Sequence, residues 1–174
     1  MPSASNTAEE HRARGPALAT LRVAIVTASD SRTEATNDGG RLIRTLCDEA
    51  GLTVVAEALK AAEHLHEEGV EARVIDMHTV KPIDREAVIR AATETRHVFT
   101  LEEHSIDGGL GGAVAEVVAE MESAHAPLKR IGLRPEFNKT VGDQTYLKSL
   151  HGLDEESIVE TIQRIITRSY DRVG

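Results

Sequence analysis

The chain has a single cysteine, few aromatic residues and no long apolar run. Its 174 residues include one Cys, two Phe, two Tyr and no Trp. Cys47 has no partner for an internal disulfide, and it falls within an amphipathic pattern, so we predict a buried and unreactive thiol. The scarcity of aromatic side chains leaves no platform on which nucleic-acid bases or a flavin could stack.

Basic residues are also few relative to acidic ones. Acidic residues outnumber basic ones 29 to 20, which gives a formal net charge of -9. Because neutralisation of phosphates dominates affinity for nucleic acid, we predict no nucleic-acid partner. No stretch reaches the roughly 18 apolar residues of a membrane span, and the amino terminus has no signal-peptide pattern. We therefore expect no membrane partner and a cytoplasmic location.

Residues 1–20 differ in composition from the rest of the chain. They are polar, rich in small residues and without an apolar period, which predicts a disordered tail. We expect residues 21–174 to form a single α/β domain, because a chain that is 40% hydrophobic can bury one sizeable core.

Short apolar runs alternate with helix-periodic stretches along this domain. The runs "LRVAIVTA", "EARVIDMHTV", "HVFTL" and "LKRIGL" predict strands, and the segments between them predict helices. Such alternation is typical of an α/β fold, here a three-layer, mostly parallel open sheet of four to five strands with helices on both faces. The periods place the following side chains in the core: Leu128, Ile131, Ile158, Ile162 and Ile165.

The segment around residues 52–56 is ambiguous. "LTVV" has the composition of a strand, but the helical "AEALKAAEHLHEEG" follows it without any turn residue. The interpretation that we favour is one helix from about Thr53 to Glu68, ended by Gly69. Further along, Asp84 and Asp154 are predicted helix N-caps, and residues 134–153 are predicted to form a long loop.

Three loops at predicted carboxyl ends of strands hold the candidate site, because ligands of parallel sheets lie there. In "EEHSIDGGLGG", backbone amides of the glycines could bind an anion at the start of a helix. The alternative, which we favour, is that the glycines only allow a helix to pack closely, since the spacing matches neither a Walker nor a dinucleotide motif. The candidate ligand-binding or anion-binding residues are Ser29, Asp30, Ser31, Glu103, His104, Gly108, Gly109, Gly111 and Gly112.

The side chains of this set allow several chemistries. A glutamate beside His104 could form an acid–base group, although alternation along a strand lets at most one of Glu102 and Glu103 share its side. Ser29 and Asp30 could bind a polar ligand or cap the backbone of their own loop. We predict no catalytic residue in this chain. We also predict no metal site, because no Cys or His spacing supports zinc.

Residues 57–170 resemble the C-terminal domain of transketolase-like, thiamine-diphosphate-dependent enzymes. The resemblance lies in "EALKAAEHLHEEGVEARVIDMHTVKPIDREAVIRAA", "TLEEHSIDGGLGGAVAEVVAE", "LKRIGL" and "GLDEESIVETI". It implies a role in assembly, with the "EEHSIDGGLGG" corner facing the rest of the enzyme. It also implies that thiamine diphosphate and Mg²⁺ are bound only in a complete transketolase-like assembly, because other domains of the family form that site. The implied partners are transketolase-like subunits or further copies of this chain.

Residues 21–55 resemble a different family, the MoaB/Mog proteins of molybdenum cofactor biosynthesis. The matching text is "LRVAIVTASDSRTEATNDGGRLIRTLCDEAGLTVV". Together with the missing turn near Val55, this resemblance implies a chimera, in which a MoaB-like strand and helix replace the start of a transketolase-like domain.

We therefore expect a noncatalytic α/β domain with an assembly or interface role. A first alternative is the C-terminal subunit of a split thiamine-diphosphate-dependent transketolase, in which case it would be part of a transferase. A second is a molybdopterin-binding protein of MoaB type that uses Asp30. A third is an anion-binding module at residues 108–112.

Overall fold

The protein forms one four-stranded sheet flanked by helices. The computed structural model describes residues 21–27, 53–135 and 140–171. The strands, in order along the chain, are β1 (Arg22–Thr27), β2 (Glu71–Asp76), β3 (His97–Ser105) and β4 (Leu128–Leu133). They lie in the order β2-β1-β3-β4, and every neighbouring pair is parallel. The helices are α1 (Thr53–Glu67), α2 (Arg85–Glu94), α3 (Leu110–Ala119), α4 (Gln144–His151) and α5 (Glu155–Asp171).

Helices cover both faces of the sheet, which confirms the α/β fold with a mostly parallel sheet. On one face, Ile25 of β1 and Phe99 of β3 share a core cluster with Leu65 of α1 and Ile162 of α5. On the other face, Ala24 and Val26 of β1 share a second cluster with residues of α2 and α3. Because successive residues of β1 alternate between two apolar layers, residues 23–26 of this inner strand form an uninterrupted apolar run.

The helix interpretation of the ambiguous segment is confirmed from Thr53 onward. α1 runs without interruption to Glu67, and Gly69 follows it with φ of 85°. The side chains of Val54, Ala58, Ala61 and Leu65 are buried in one core cluster and form the apolar face of this helix. Burial of this face outweighs the modest strand preference of the valines. The ambiguous segment adds no strand from Thr53 onward, and residues 22–27 form β1, one of the two inner strands of the sheet.

The predicted caps and most of the predicted core are confirmed. Ala87 N donates to Asp84 Oδ1 at 2.9 Å, and Ser157 N donates to Asp154 Oδ1 at 3.1 Å. Of the five predicted core side chains, those fully within the core are Ile131, Ile158 and Ile162. The other two, Leu128 and Ile165, are only partly buried and pack against the two core clusters.

The predicted loop at residues 134–153 is wrong in its second half, where α4 forms. Asp143 caps this helix by accepting from Tyr146 N at 2.8 Å, and Gly152 ends it with φ of 70°. None of the eight residues of α4 is buried, although Tyr146, Leu147 and Leu150 recur at helical spacing. The capping residues Asp143 and Gly152 were a further sequence signal for this helix. β3 also extends beyond the predicted "HVFTL", as far as Ser105.

Among the described residues, no helix is both long enough and apolar enough to cross a membrane. Cys47 and residues 1–20 lie outside the described ranges.

Candidate functional site

The carboxyl ends of the four parallel strands meet at one side of the sheet, which we call the carboxyl edge. Thr27, the last residue of β1, pairs with Asp76 of β2 and with Leu101 of β3. β3 continues beyond this level to Ser105, which pairs with Leu133 of β4, so the motif "EEHSIDGGLGG" extends past the end of β1. Ligands of open parallel sheets bind outside the carboxyl ends, which makes this edge the candidate site.

A bulge re-aims the side chains of this motif. Leu101 pairs with Ile131 of β4, whereas the next pair joins Ser105 with Leu133. Residues 102–104 therefore stand opposite Gly132 alone. A bulge interrupts the strict alternation of a strand, on which the expectation for the two glutamates and His104 depended. It also allows consecutive side chains to contact different elements.

Glu102 points inward and caps α3. Its side chain is almost fully buried, at 3% exposure. Oε2 accepts the N–H of Leu110 at 2.8 Å, and Oε1 accepts the N–H of Gly111 at 2.8 Å. A carboxylate at this position satisfies two first-turn amides and lies at the positive end of the helix dipole. The start of α3 thus binds an anion that the chain itself supplies.

Three glycines make room for the Glu102 side chain. A Cβ atom at Gly109 would lie 2.0 Å from Glu102 Oε2, and one at Gly111 would lie 2.8 Å from Oε1. A Cβ atom at Gly132 would lie 2.9 Å from Glu102 Cγ. Gly112, in contrast, faces open space. An external anion at the amides of Leu110 and Gly111 would have to displace Glu102, so the predicted anion-binding role stays a prediction.

Arg130 of β4 fixes the loop between β3 and α3. Its Nη1 donates to the carbonyl oxygen of Ile106 at 2.6 Å and lies 3.4 Å from Asp107 Oδ1. The N–H of Ile106 donates to the carbonyl of Leu133 at 3.0 Å, and that of Asp107 donates to Ser105 Oγ at 3.2 Å. The loop is therefore held by hydrogen bonds to β4 as well as by its own side chains.

Glu103 and His104 are exposed beside this anchored loop. Glu103 Oε1 accepts from Gln144 Nε2 at 3.2 Å, which places the start of α4 at the carboxyl edge. His104 Nδ1 lies 3.2 Å from the carbonyl oxygen of Ser105. The motif thus presents one buried acidic residue to α3, and an acidic residue and a histidine to the surface.

The remaining predicted site residues fall elsewhere. Ser29, Asp30 and Ser31 lie outside the described residues. Gly108 has φ of 81°, a left-handed conformation that permits the turn into α3. Within the described ranges, no three His, Cys, Asp or Glu side chains come together as a set that could hold a metal ion.

Sequence reasoning missed the roles of Glu102 and Arg130. The available signal for Glu102 was its place ahead of two glycine pairs, since a buried carboxylate needs donors and space. Arg130 stands beside Lys129 in a predicted strand. Without the strand pairing, the sequence does not show that Arg130 has a specific partner.

Comparison with known proteins gives a consistent result for most of the chain. The family model described as transketolase, C-terminal domain, matches residues 51–158. A 6-deoxy-6-sulfo-D-fructose transketolase subunit from Clostridium sp. (strain MSTE9) is 45% identical over 115 residues, 66% of this chain and 35% of its own length. An apulose-4-phosphate transketolase subunit from Phocaeicola vulgatus is 38% identical over 130 residues, 71% of this chain and 40% of its own length.

A solved structure agrees with these sequence matches. A chain described as "Split gene transketolase, inactive beta4 tetramer" superposes with a TM-score of 0.63 at 34% identity, covering 84% of this chain and 39% of that chain. This chain therefore spans well under half the length of these relatives. The comparisons give no support to the MoaB/Mog resemblance of residues 21–55 or to a chimeric origin.

Proposed function

We propose that this chain works as the C-terminal part of a split, thiamine-diphosphate-dependent transketolase. The premise is that the chain belongs to the transketolase C-terminal domain family. The observation that carries the proposal is the naming of two relatives, 45% and 38% identical, as transketolase subunits. Since the chain spans 35% and 40% of those subunits, the reacting groups would come from other parts of the enzyme. The chain itself would serve assembly.

The ordered loop at the carboxyl edge supports a role for this surface in contacting another protein. Glu102 and Arg130 anchor the loop ahead of α3 from inside, so the loop can present Glu103, His104 and Asp107 without a bound ligand to order it. A surface that is already ordered loses little conformational entropy when it docks. We propose that Glu103 and His104 are contact residues of this surface.

Exposed apolar side chains beside the same edge fit this role. Tyr146 and Leu150 lie one turn apart on α4 and are 51% and 49% exposed, and Val141 just ahead of α4 is 97% exposed. α4 begins beside Glu103, so these side chains extend the polar surface of the motif. Apolar side chains grouped on a surface mark contacts with another protein more often than scattered ones do.

The buried carboxylate of the candidate site does not fit the metal of thiamine diphosphate. Mg²⁺ with a diphosphate is held through one or two carboxylates and further oxygen ligands. Both carboxylate oxygens of Glu102 already accept N–H groups of α3, and no set of three His, Cys, Asp or Glu side chains that could hold a metal ion occurs in the described ranges. In this proposal the cofactor belongs to the remainder of the enzyme, and no step of the reaction is assigned to this chain.

Reconstitution tests the proposal. The Clostridium relative would be produced without its matching C-terminal part and mixed with this chain, thiamine diphosphate and Mg²⁺. We expect sedimentation to show a complex at micromolar concentration, and transketolase activity to rise on mixing. Separate sedimentation of two cooperatively folded proteins at all concentrations would overturn the proposal.

A pair of matched substitutions locates the contact. Leu150→Ser at the proposed surface should weaken the complex by about tenfold, as truncation of an interface anchor does. Ile89→Ser changes a side chain of α2 that is also exposed, at 38%, but lies away from α4. It should leave the complex unchanged. Equal effects of the two substitutions would contradict the assignment of this surface.

A further inference from the structure

A cavity of about 520 Å³ lies at the opposite side of the sheet, where the strands begin. We call this side the amino edge. Leu21 precedes β1, His97 begins β3, and Pro127 precedes β4, and all three line the cavity. Its size falls within the range of pockets that hold small organic molecules. It is separate from the "EEHSIDGGLGG" motif and from the proposed contact surface.

The lining combines an apolar wall with positive charge. Leu21, Ala92 and Ala126 are buried and form apolar parts of the wall. Arg96 lies at the exposed rim, and no Asp or Glu is among the described residues that line the cavity. Arg96 makes no ion pair with any side chain of the described ranges. As far as the described residues go, the cavity therefore offers a cation without an ion-pair partner beside an apolar surface.

His97 adds a buried hydrogen-bond acceptor to the wall. The hydroxyl of Ser169 donates to the carbonyl of Ile165 at 3.0 Å, so its only proton is already used. The His97 Nε2 atom, 2.9 Å from Ser169 Oγ, must then be the donor. This leaves Nδ1 without a proton, and it is buried without a partner in the described part of the chain. A buried acceptor without a donor is costly, and a bound molecule with an N–H group could supply one.

We propose that the amino-edge cavity binds an amphipathic organic anion. Its apolar body would lie against Leu21, Ala92 and Ala126, and its anionic group would lie toward Arg96. An apolar surface lined by a few placed polar groups is the usual composition of a small-molecule site. The ligand would bind independently of any transketolase partner, because the cavity lies at the other end of the strands.

Two fluorescent probes that differ in one charged group test the proposal on the full chain. Anilinonaphthalene sulfonate is an aromatic anion with an N–H group, and phenylnaphthylamine is the same molecule without the sulfonate. Ala124 is exposed and lines the cavity, so Ala124→Trp should block it and weaken both probes by about tenfold or more. Ala119→Trp, at an exposed position of α3 outside the lining, is the matched control and should bind as the unchanged protein does.

The charge of Arg96 is tested in the same way. Arg96→Gln should weaken the sulfonate about threefold to tenfold and the neutral probe less than about twofold, because only the sulfonate can pair with the guanidinium. Arg164→Gln on α5, also exposed, is the charge control. Thermal unfolding would show that each variant stays folded. Probe binding that Ala124→Trp leaves intact would overturn the site, and equal losses of both probes in Arg96→Gln would overturn the preference for an anion.

Discussion

The two edges of the sheet differ in whether their polar groups have hydrogen-bond partners. At the carboxyl edge, the amides that open α3 are bound by the carboxylate of Glu102, and Arg130 holds the loop ahead of them. At the amino edge, His97 keeps an acceptor without a partner in the described residues, and Arg96 lies beside a cavity of about 520 Å³. The edge with the motif is filled from within, and the edge without one has space for a ligand.

This difference shows how glycine-rich motifs can mislead. Glycines ahead of a helix are needed wherever a group approaches the backbone closely, and the group can be a side chain of the same chain. Here Gly109 and Gly111 admit the carboxylate of Glu102. The same amides in another protein could bind a phosphate, because the N–H groups that open a helix can donate to either anion.

Removing the internal anion should produce the largest loss of stability. Glu102→Ala would leave the amides of Leu110 and Gly111 buried without a partner, so we expect unfolding free energy to fall by roughly 2 to 4 kcal/mol. Glu103→Ala is the matched control, since Glu103 is exposed, and it should change stability by less than about 0.5 kcal/mol. Urea unfolding of the two variants measures the difference. Equal losses would contradict the internal cap.

Adding a methyl group at two of the glycines should have effects of opposite sign. In Gly109→Ala the new Cβ would lie 2.0 Å from Glu102 Oε2 and 2.8 Å from the carbonyl oxygen of Ser105, so the cap must shift. We expect a loss of about 1 to 3 kcal/mol. Gly112→Ala meets nothing within 4 Å and lies in α3. It should stabilise by about 0.5 to 1 kcal/mol, because alanine favours a helix.

Calorimetry with phosphate on these two variants would then bear on the anion-binding prediction for the glycines. If phosphate binds the unchanged protein and Gly112→Ala equally but fails to bind Gly109→Ala, the amides of the corner exchange Glu102 for an external anion. No heat with any of the three proteins would leave packing as the only role of these glycines.

Much of the fold could be predicted from the sequence, because its elements carry strong local signals. The apolar run of β1 and the N-caps Asp84 and Asp154 are local features, and each was found where predicted. α4 was missed because its eight residues are fewer than the roughly 11 to 18 over which an apolar period is recognised. The sequence left open whether residues 53–56 form a strand or a helix, and only the packing of α1 resolves this.

The candidate site was harder to predict, because its key contacts join separate elements. Alternation along β3 places Glu102 on the same side as Val98 and Thr100, toward α3. Alternation alone does not show that the carboxylate accepts the N–H groups of Leu110 and Gly111. Arg130 meets the loop through strand pairing, which has no local signature.

Loosening the loop ahead of α3 should have a smaller effect than removing its cap. Arg130→Met keeps much of the aliphatic packing but removes the hydrogen bond to the Ile106 carbonyl and the contact with Asp107. We expect a loss of about 1 kcal/mol, because the side chain is partly exposed and water can replace some of its bonds. Asp107→Asn, which removes only the longer contact at 3.4 Å, should cost less. A loss as large as that of Glu102→Ala would mean that the arginine, not the carboxylate, holds this corner together.

The smallest expected effect concerns the pH dependence of stability at the amino edge. Burial, followed by the nearby charge of Arg96, lowers the pKa of His97 below its ordinary value of 6.5. The unfolded chain therefore binds this proton more readily than the folded one. Above pH 6.5 the histidine is neutral in both states, and as the pH falls from there toward the lowered pKa, the folded state loses stability.

His97→Gln should remove this contribution, because its amide can still donate to Ser169 Oγ and does not titrate. Urea unfolding at pH 8, 7, 6 and 5.5 would compare the slopes of unfolding free energy against pH. Arg96→Gln should flatten the slope only in part, since the charge of Arg96 is the second cause of the shift and burial the first. A slope in His97→Gln as steep as in the unchanged protein would show that other groups carry the loss. A complete flattening in Arg96→Gln would show that charge, not burial in the cavity wall, sets the protonation of His97.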